Sequence, residues 1–329
     1  MEGPFCFQAT LKANLMTATL TVERPILEEK IRRVSQLVGN TPLYEIRTVF
    51  RKPGVRIFAK LEWQQLGGSV KSRPAFNIIK KALGEGQFKG GRRLLDATSG
   101  NTGIAYAAIG AALCIPVTLC LPENASPERK RMLRSFGAQI EYTSKFDGTD
   151  GAQLRAKELF REHPDRYFYA DQYANNNNWK AHFETTAPEI WHQTKGRVTH
   201  FVAALGTTGT FTGTGRGLRQ FNSGVELIAL QPDNPMHGLE GWKHLETAIV
   251  PQIYDDSLPD RTLEIGTPEA YDMVKLLAQR EGLLVSPSAA ANLLGAIKVA
   301  RQIDRGVVVT TFADDASKYA EVMEQIFKS

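Results

Sequence analysis

Short apolar runs alternate with helical segments along most of the chain. Each run is too short for a helix and is apolar at nearly every position, which is typical of a strand buried on both faces. Chains that alternate such strands with helices form mostly parallel sheets covered by helices. The pattern therefore predicts an α/β fold with strands over residues 94–97, 115–121, 139–143, 200–205, 225–230 and 306–312.

Local capping residues mark the helices between these strands. Ser126 and Pro127 are the pair expected at an N-cap and a first helical position, and Gly137 is expected to end that helix. A further helix is predicted over residues 151–161. The chain has 329 residues, without a linker or a fixed-period repeat, so we expect two domains or lobes.

The most informative polar segment is the loop of residues 67–74, which follows an apolar run and opens a helix. Pro74 fits the first helical turn, where a missing N–H costs nothing. The Lys71 amine beside that helix N-terminus meets the positive end of the helix dipole, which disfavours the ammonium and exposes a nucleophilic lone pair. Such an amine suits catalysis through a Schiff base, although a solvated lysine is the plainer interpretation of this segment alone.

A second polar loop joins the strand at residues 94–97 to an alanine-rich helix. Its hydroxyls and backbone N–H groups point towards a helix N-terminus, which can bind a carboxylate or a phosphate. An ordinary N-cap explains the same residues equally well. The candidate binding residues are Thr98, Ser99, Gly100, Asn101 and Thr102.

A third loop, rich in glycine and threonine, follows the strand at residues 200–205. Glycines let the backbone approach an anion closely, and threonine hydroxyls add donors. The chain contains neither G-x-G-x-x-G nor the P-loop pattern, so a dinucleotide or nucleoside triphosphate site is disfavoured. We expect a small phosphate-bearing cofactor here, held by Gly206, Thr207, Thr208, Gly209 and Thr210.

Composition narrows the class of protein. The formal net charge is +5 with Lys and Arg scattered along the chain, so we expect no nucleic-acid binding. No apolar run approaches the ~18 residues of a membrane span. Residues 1–20 lack the basic and apolar regions of a secretory signal, so we expect a cytoplasmic protein. The three cysteines lack metal or redox spacing, so no metal site is expected, and Cys114 and Cys120 are expected to be buried.

The lysine and the two anion-binding loops together resemble those of the pyridoxal-phosphate enzymes of the cysteine synthase, or O-acetylserine sulfhydrylase, family. The resemblance extends from residue 38 to the last strand and is strongest to the B-type enzymes. It implies the two-lobed fold of the tryptophan synthase β-subunit-like (fold type II) enzymes, in which mostly parallel sheets are flanked by helices. One lobe would comprise residues 45–170 and the other residues 1–44 with 171–329, with pyridoxal 5'-phosphate between them.

The resemblance also implies a role for each candidate residue. Lys71 matches the Schiff-base lysine that moves the Cα proton, and Asn101 matches the residue that hydrogen-bonds the ring hydroxyl of the cofactor. Ser288 matches the hydroxyl that faces the pyridine nitrogen, where a neutral group suits β-elimination better than transamination. The residues at 206–210 match the phosphate loop. The residues matched to the substrate α-carboxylate are Thr98, Ser99, Gly100, Thr102 and Gln172.

The reaction that the resemblance implies is a β-replacement that forms L-cysteine from an O-activated serine and a sulfide donor. Lys243 lies where a basic residue faces the phosphate in B-type enzymes that use O-phosphoserine, so the expected substrate is O-acetylserine or O-phosphoserine. A homodimer is expected, with a serine acetyltransferase or a sulfur-carrier protein as further partners. Two alternatives stay open: a cystathionine β-synthase-like reaction with homocysteine, and a non-catalytic relative that binds a serine acetyltransferase tail.

Two segments depart from the family pattern. Residues 65–68 replace the common Asn-Pro-Thr/Ser-Gly, and Ser72 replaces the aspartate that commonly follows the lysine. Residues 315–321 replace the usual Ser-Gly-x-Arg/Lys-Tyr-Leu-Ser. We expect the first change to alter how Lys71 is held and the second to loosen a segment that lines the cleft, although neither removes a group that the chemistry requires.

Overall fold

The computed structural model describes residues 24–98 and 100–328, and the strands in this part of the chain form two separate sheets. In chain order they are β1 (Leu43–Ile46), β2 (Val55–Leu61), β3 (Arg93–Ala97), β4 (Val117–Pro122), β5 (Gln139–Thr143), β6 (Tyr167–Tyr169), β7 (His200–Ala204), β8 (Glu226–Pro232), β9 (Arg261–Ile265) and β10 (Gly306–Phe312).

The larger sheet has the strand order β1-β2-β10-β7-β8-β9. Strand β10 lies inside it, with Val308 opposite Ile57 of β2 and opposite His200 of β7. These pairs are parallel, and β1 joins β2 in the antiparallel sense. The interior strand is buried at nearly every position because helices cover both faces of the sheet.

The smaller sheet has the order β5-β4-β3-β6 and is parallel throughout. Leu94 of β3 lies opposite Val117 of β4 and Phe168 of β6. All six residues of β4 are buried, as its continuous apolar sequence predicts. The predicted mostly parallel α/β class is therefore confirmed.

Helices occupy the connections between strands. In chain order they are α1 (Arg24–Ser35), α2 (Ser72–Gly84), α3 (Asn101–Leu113), α4 (Pro127–Ser135), α5 (Gly148–Glu162), α6 (Asn177–Ala181), α7 (Ala187–Gln193), α8 (Gly209–Phe221), α9 (Thr267–Glu281), α10 (Pro287–Gln302) and α11 (Ala320–Lys328). One π-helical turn, His182–Thr186, links α6 to α7, and short 3₁₀ turns lie at Lys89–Gly91 and Ala316–Lys318.

The predicted caps of α4 are confirmed. The Ser126 hydroxyl accepts a hydrogen bond from the backbone N–H of Arg129 at 3.4 Å, and Pro127 is the first helical residue. The helix ends at Ser135, and Gly137 then takes a left-handed conformation with φ of +79°. Local sequence chemistry thus sets the length of this helix.

The predicted lobe boundaries need two corrections. Strands β1 and β2 belong to the larger sheet, so the smaller lobe does not begin at residue 45. Helix α1 packs with its Val34 in the core of the smaller lobe, beside Ile104 and Tyr106, so residues 24–35 do not belong to the larger lobe. Both errors have the same cause. The elements that pack against these segments are distant in sequence, and no change in composition marks where the chain passes from one lobe to the other.

Two other expectations concern single segments. Cys120 is buried in β4 as predicted, but Cys114 is exposed, because it caps the C-terminus of α3 in a left-handed conformation. The interpretation of residues 1–20 lies outside the described residues. Within residues 24–98 and 100–328, no helix is both long enough and apolar enough to span a membrane.

Candidate active site

A cavity of about 360 Å³ lies between the two lobes, where β3, β7 and β10 end. Such a position is the expected ligand site of α/β folds. Of the residues predicted from sequence, those lining it are Lys71, Thr98, Asn101, Thr102, Gln172, Gly206, Thr207, Thr208, Thr210, Lys243 and Ser288. Gly100 and Gly209 belong to the same loops, and Ser99 lies outside the described residues.

Lys71 ends a tight turn and directly precedes α2. The turn uses two glycines with positive φ, Gly67 at +86° and Gly68 at +63°. The backbone N–H of Val70 donates to the carbonyl of Ala313 at 2.8 Å, which ties the turn to the segment that follows β10 of the other lobe. The lysine is therefore fixed where the two lobes meet.

Burial lowers the pKa of Lys71, because the ammonium loses hydration. The carboxylates of Asp314 and Glu62 oppose this shift, and the nearby Lys318 adds to it. No hydrogen bond to the Lys71 amine is found within residues 24–98 and 100–328. A partly buried amine with a lowered pKa has a larger neutral fraction, which is the form that attacks an aldehyde.

The loop after β3 is organised around the N-terminus of α3. The Thr98 hydroxyl accepts hydrogen bonds from the backbone N–H groups of Gly100 at 2.9 Å and Gly103 at 3.1 Å. The Thr102 hydroxyl donates to Gln172 Oε1 at 2.7 Å, and the Gln172 amide donates to the Ala97 carbonyl at 2.7 Å. The structure thus brings Gln172 to this loop from about 70 residues away in sequence.

A buried carboxyl group that sequence reasoning missed supports this loop. Asp96 Oδ1 accepts from the backbone N–H of Ala97 at 2.8 Å, and Oδ2 accepts from that of Gln172 at 3.2 Å. Burial raises the pKa of Asp96 to about 8. Because its carboxyl group is hydrogen-bonded both to the end of β3 and to the backbone of Gln172, Asp96 helps to position the loop.

Asn101 is held by residues of the segment after β10. Its side-chain amide donates to Asp314 Oδ2 at 2.8 Å, and its oxygen accepts from Lys318 Nζ at 3.0 Å. Lys318 Nζ also donates to the Gly68 carbonyl at 2.6 Å, and the Tyr319 hydroxyl donates to Asp314 Oδ2 at 2.6 Å. The expected loosening of residues 315–321 is therefore wrong, since buried polar contacts anchor this segment.

The third loop leads into α8, and its shape fits a phosphate group. Thr208 has a left-handed backbone, with φ of +69°, and its buried hydroxyl oxygen has no hydrogen-bond partner among the described residues. A Cβ atom at Gly206 would lie 2.0 Å from the Gly241 carbonyl oxygen, and one at Gly209 would lie 2.0 Å from Asn178 Oδ1. An unsatisfied hydroxyl at a helix N-terminus, in a loop with no room for a side chain at either glycine, suits a bound phosphate.

His182 supports the same loop from the π-helical turn. Its two ring nitrogens lie 2.9 Å from the Thr186 hydroxyl and 3.3 Å from the Thr210 hydroxyl. Burial, together with the charge of Arg73, lowers the pKa of His182 to about 3, so the ring is neutral. A neutral imidazole can accept one hydrogen bond and donate the other, which orients the Thr210 hydroxyl.

Replacing Gly209 by alanine is expected to weaken cofactor binding. The new methyl group would displace Asn178, and overpacking of this kind costs about 1–3 kcal/mol. Affinity for pyridoxal phosphate should fall about tenfold or more. Titration of the apoprotein with the cofactor measures this, with Gly84→Ala as the control, because a Cβ at Gly84 would have no neighbour within 4 Å. Equal affinities in the two variants would contradict this account of the loop.

Ser288 lies in the first turn of α10 and lines the cavity, as Asn101 does. Its hydroxyl donates to the Glu240 carbonyl at 2.5 Å, while the N-cap of the helix is Ser286, which accepts from Ala289 N at 3.2 Å. Ser288 is thus free of a capping role. It lines the cavity, and its hydroxyl proton is donated to the Glu240 carbonyl.

Behind Lys71, a buried network of charged residues anchors the start of α2. Arg73 Nε contacts Glu62 Oε2 at 2.7 Å, and Arg73 Nη1 contacts Glu189 Oε1 at 2.7 Å. Lys60 Nζ lies 2.7 Å from Glu189 Oε2. Burial alone would raise the pKa of Glu189, but its hydrogen bonds with Arg73 and Lys60 and the charges of these two residues together outweigh burial and hold that pKa at about 2. The first turn of α2 is thereby tied to β2 and to α7.

Comparison with known proteins shows the family to which the chain belongs. The family model "Pyridoxal-phosphate dependent enzyme" matches residues 34–314. Cysteine synthase from Aquifex aeolicus is 45% identical over 317 residues, which is 94% of this chain and 97% of that protein. Cysteine synthase B from Escherichia coli is 38% identical over 288 residues, covering 87% and 93% of the two chains.

Solved structures show the same fold. The crystal structure of O-acetyl serine sulfhydrylase isoform 3 from Entamoeba histolytica superposes with a TM-score of 0.83 at 32% identity, covering 90% of this chain and 91% of that one. These similarities lead to one conclusion. The chain belongs to the pyridoxal-phosphate dependent enzymes and, within them, to the cysteine synthases.

Proposed function

We propose that the residues lining this cavity catalyse the replacement of the β-substituent of an activated serine by sulfide. The chain is a pyridoxal-phosphate dependent cysteine synthase that forms L-cysteine from O-acetylserine, and acetate leaves as sulfide adds. One observation supports the assignment of roles most strongly. The Lys71 amine, whose pKa burial lowers, shares one cavity with residues of the two polar loops that open α3 and α8.

The loop after β3 would hold the substrate α-carboxylate. Thr98 and Thr102 present hydroxyls there, Gln172 presents its amide, and the backbone N–H groups at the start of α3 add the positive end of a helix dipole. Ser99 and Gly100 complete this loop in the prediction from sequence. Holding the carboxylate fixes the Cα–H bond relative to the lysine, which is the positional requirement of the proton transfer.

Lys71 would anchor the cofactor, and its amine, once released, would take the Cα proton. The cofactor, when bound, supplies an electron sink for the electrons of the Cα–H bond. Asn101 and Ser288 would hold the two sides of its ring, and residues 206–210 its phosphate. Because Ser288 is a neutral hydroxyl, the site favours loss of the β-substituent over transamination.

O-phosphoserine is a second candidate substrate, and Lys243 is the group that would meet its phosphate. Lys243 lines the cavity, and only 11% of its side chain is exposed. Replacement of Lys243 by methionine is expected to lower kcat/KM for O-phosphoserine about tenfold, because a charge-assisted contact is lost. The value for O-acetylserine should fall less. Equal losses for both esters would contradict this role, and Lys89→Met, which removes an exposed lysine outside the cavity, is the control.

Assembly and location remain predictions. We expect a homodimer in the cytoplasm, as the resemblance implies, with a serine acetyltransferase or a sulfur-carrier protein as further partners. Size-exclusion chromatography with light scattering measures the oligomeric state, and a monomer at micromolar concentration would contradict the expected homodimer.

The visible absorption of the holoenzyme tests the assignment of Lys71 and its neighbours. Addition of O-acetylserine without sulfide should change the absorption band of the bound cofactor, and later addition of sulfide should restore it as cysteine is released. A band that O-acetylserine leaves unchanged would contradict the proposed reaction. Homocysteine supplied in place of sulfide tests the cystathionine β-synthase-like alternative, which predicts that cystathionine forms.

A further inference from the structure

Two cationic side chains at the mouth of the cavity are each paired with a carboxylate from the opposite lobe. Lys243 lies in the loop between β8 and β9 of the larger lobe, and its Nζ is 3.2 Å from Asp150 Oδ1 of the smaller lobe. Arg129 of α4 in the smaller lobe contacts the Glu240 carboxylate of that same loop. The net charge that a substrate meets here therefore depends on the two carboxylates as well as on the lysine and the arginine.

The Asp150–Lys243 pair is held in place from both sides. Asp150 lies in the first turn of α5, where the helix dipole favours an anion. Its Oδ1 accepts from Gln153 Nε2 at 3.0 Å, and its Oδ2 accepts from the backbone N–H of Ile249 at 3.4 Å. This carboxylate is therefore oriented by its own helix and by the loop that carries its partner.

Lys243 is equally constrained. Its backbone N–H donates to the Leu205 carbonyl at 2.8 Å, and its ammonium lies 5.4 Å from the centre of the Tyr173 ring. With 11% of its side chain exposed, the lysine is poorly screened by solvent ions, whereas Asp150 keeps 36% exposure. A fixed pair of this kind neutralises the lysine more fully than a mobile surface contact does.

We infer that Asp150 is a specificity-determining residue, which neutralises Lys243 so that the cavity favours serine derivatives whose β-substituent is an uncharged ester over those that carry a dianionic phosphate. The phosphate of a substrate must compete with Asp150 for contact with the Lys243 ammonium, whereas an uncharged acetyl group does not need that contact. The inference rests on the proposed function, because it concerns the ester group of the same substrate.

The experiment compares kcat/KM for O-phosphoserine with that for O-acetylserine in the holoenzyme. Asp150→Asn keeps the size of the side chain and removes its charge, so the ratio of the two values should rise about tenfold. Asp147→Asn is the matched control, since Asp147 also lines the cavity but makes no ion pair with Lys243. In Asp150→Asn/Lys243→Met the rise should disappear, because the gain requires the freed ammonium.

The inference is overturned if Asp150→Asn leaves the ratio unchanged, if Asp147→Asn raises it equally, or if the rise survives in the double variant. Asp150→Ser, which also suits the first turn of a helix, replaces the asparagine variant if that protein does not fold. Inhibition by inorganic phosphate is a second readout, and its inhibition constant against O-acetylserine should fall in parallel. Failure of the proposed function would give a different result in the same assay: the wild-type protein would form no cysteine from O-acetylserine.

Discussion

Replacement of Lys71 by alanine is expected to abolish cysteine formation, with a loss of about 10⁴-fold or more. In the proposed assignment, the variant loses both the amine that would anchor the cofactor and the base that would take the Cα proton. It should also lose the visible absorption that depends on the covalent link between lysine and cofactor. Both effects are measured on the same sample, by cysteine release and by absorption after incubation with pyridoxal phosphate.

Lys80→Ala is the matched control for that variant, because Lys80 lies exposed on the same helix, α2. It should retain the activity and spectrum of the wild-type protein. A Lys71→Ala protein that kept more than a few per cent of the activity would show that another group moves the proton.

Replacement of Arg73 by methionine is expected to lower the free energy of unfolding by about 3–5 kcal/mol. The variant leaves Glu62 and Glu189 buried without their main cation, since Arg73 contacts both at 2.7 Å. Burial alone would raise the pKa of Glu62, yet the charge and hydrogen bonds of Arg73, helped by Lys60 and Thr41, keep it below its usual value, so this carboxylate is charged in the folded protein. Urea unfolding followed by tryptophan fluorescence measures the change.

Arg131→Met provides the comparison for Arg73. Arg131 is exposed, and its guanidinium lies 3.8 Å from Glu128 Oε1, so its loss should cost less than about 1 kcal/mol. Equal losses in the two arginine variants would show that the buried network contributes no more than a surface contact.

The two polar loops that open α3 and α8 could be located from sequence, because each is defined by neighbouring residues in the chain. A strand, a few small polar residues and a helix start follow one another within about ten residues, both at Thr98 and at Thr208. The chemistry of such a loop depends on its own helix N-terminus, which the same segment supplies. The position of Lys71 at a helix start could be predicted for the same reason, and its role stays a prediction that rests on the family resemblance.

Features that depend on distant segments could not be predicted. Strand β2 joins the larger sheet through β10, so its lobe is set by residues about 250 positions later in the chain. The contact between Asp150 and Lys243 spans 93 positions, and the one between Asn101 and Asp314 spans 213. No local pattern distinguishes these carboxylates from solvated ones, because their partners are selected only when the lobes pack.

The most direct test of the central claim is to measure the products that the purified holoenzyme forms from O-acetylserine and sulfide. The account predicts that cysteine and acetate appear in equal amounts, and that neither appears with Lys71→Ala. Release of pyruvate without cysteine, or turnover that requires homocysteine in place of sulfide, would contradict it.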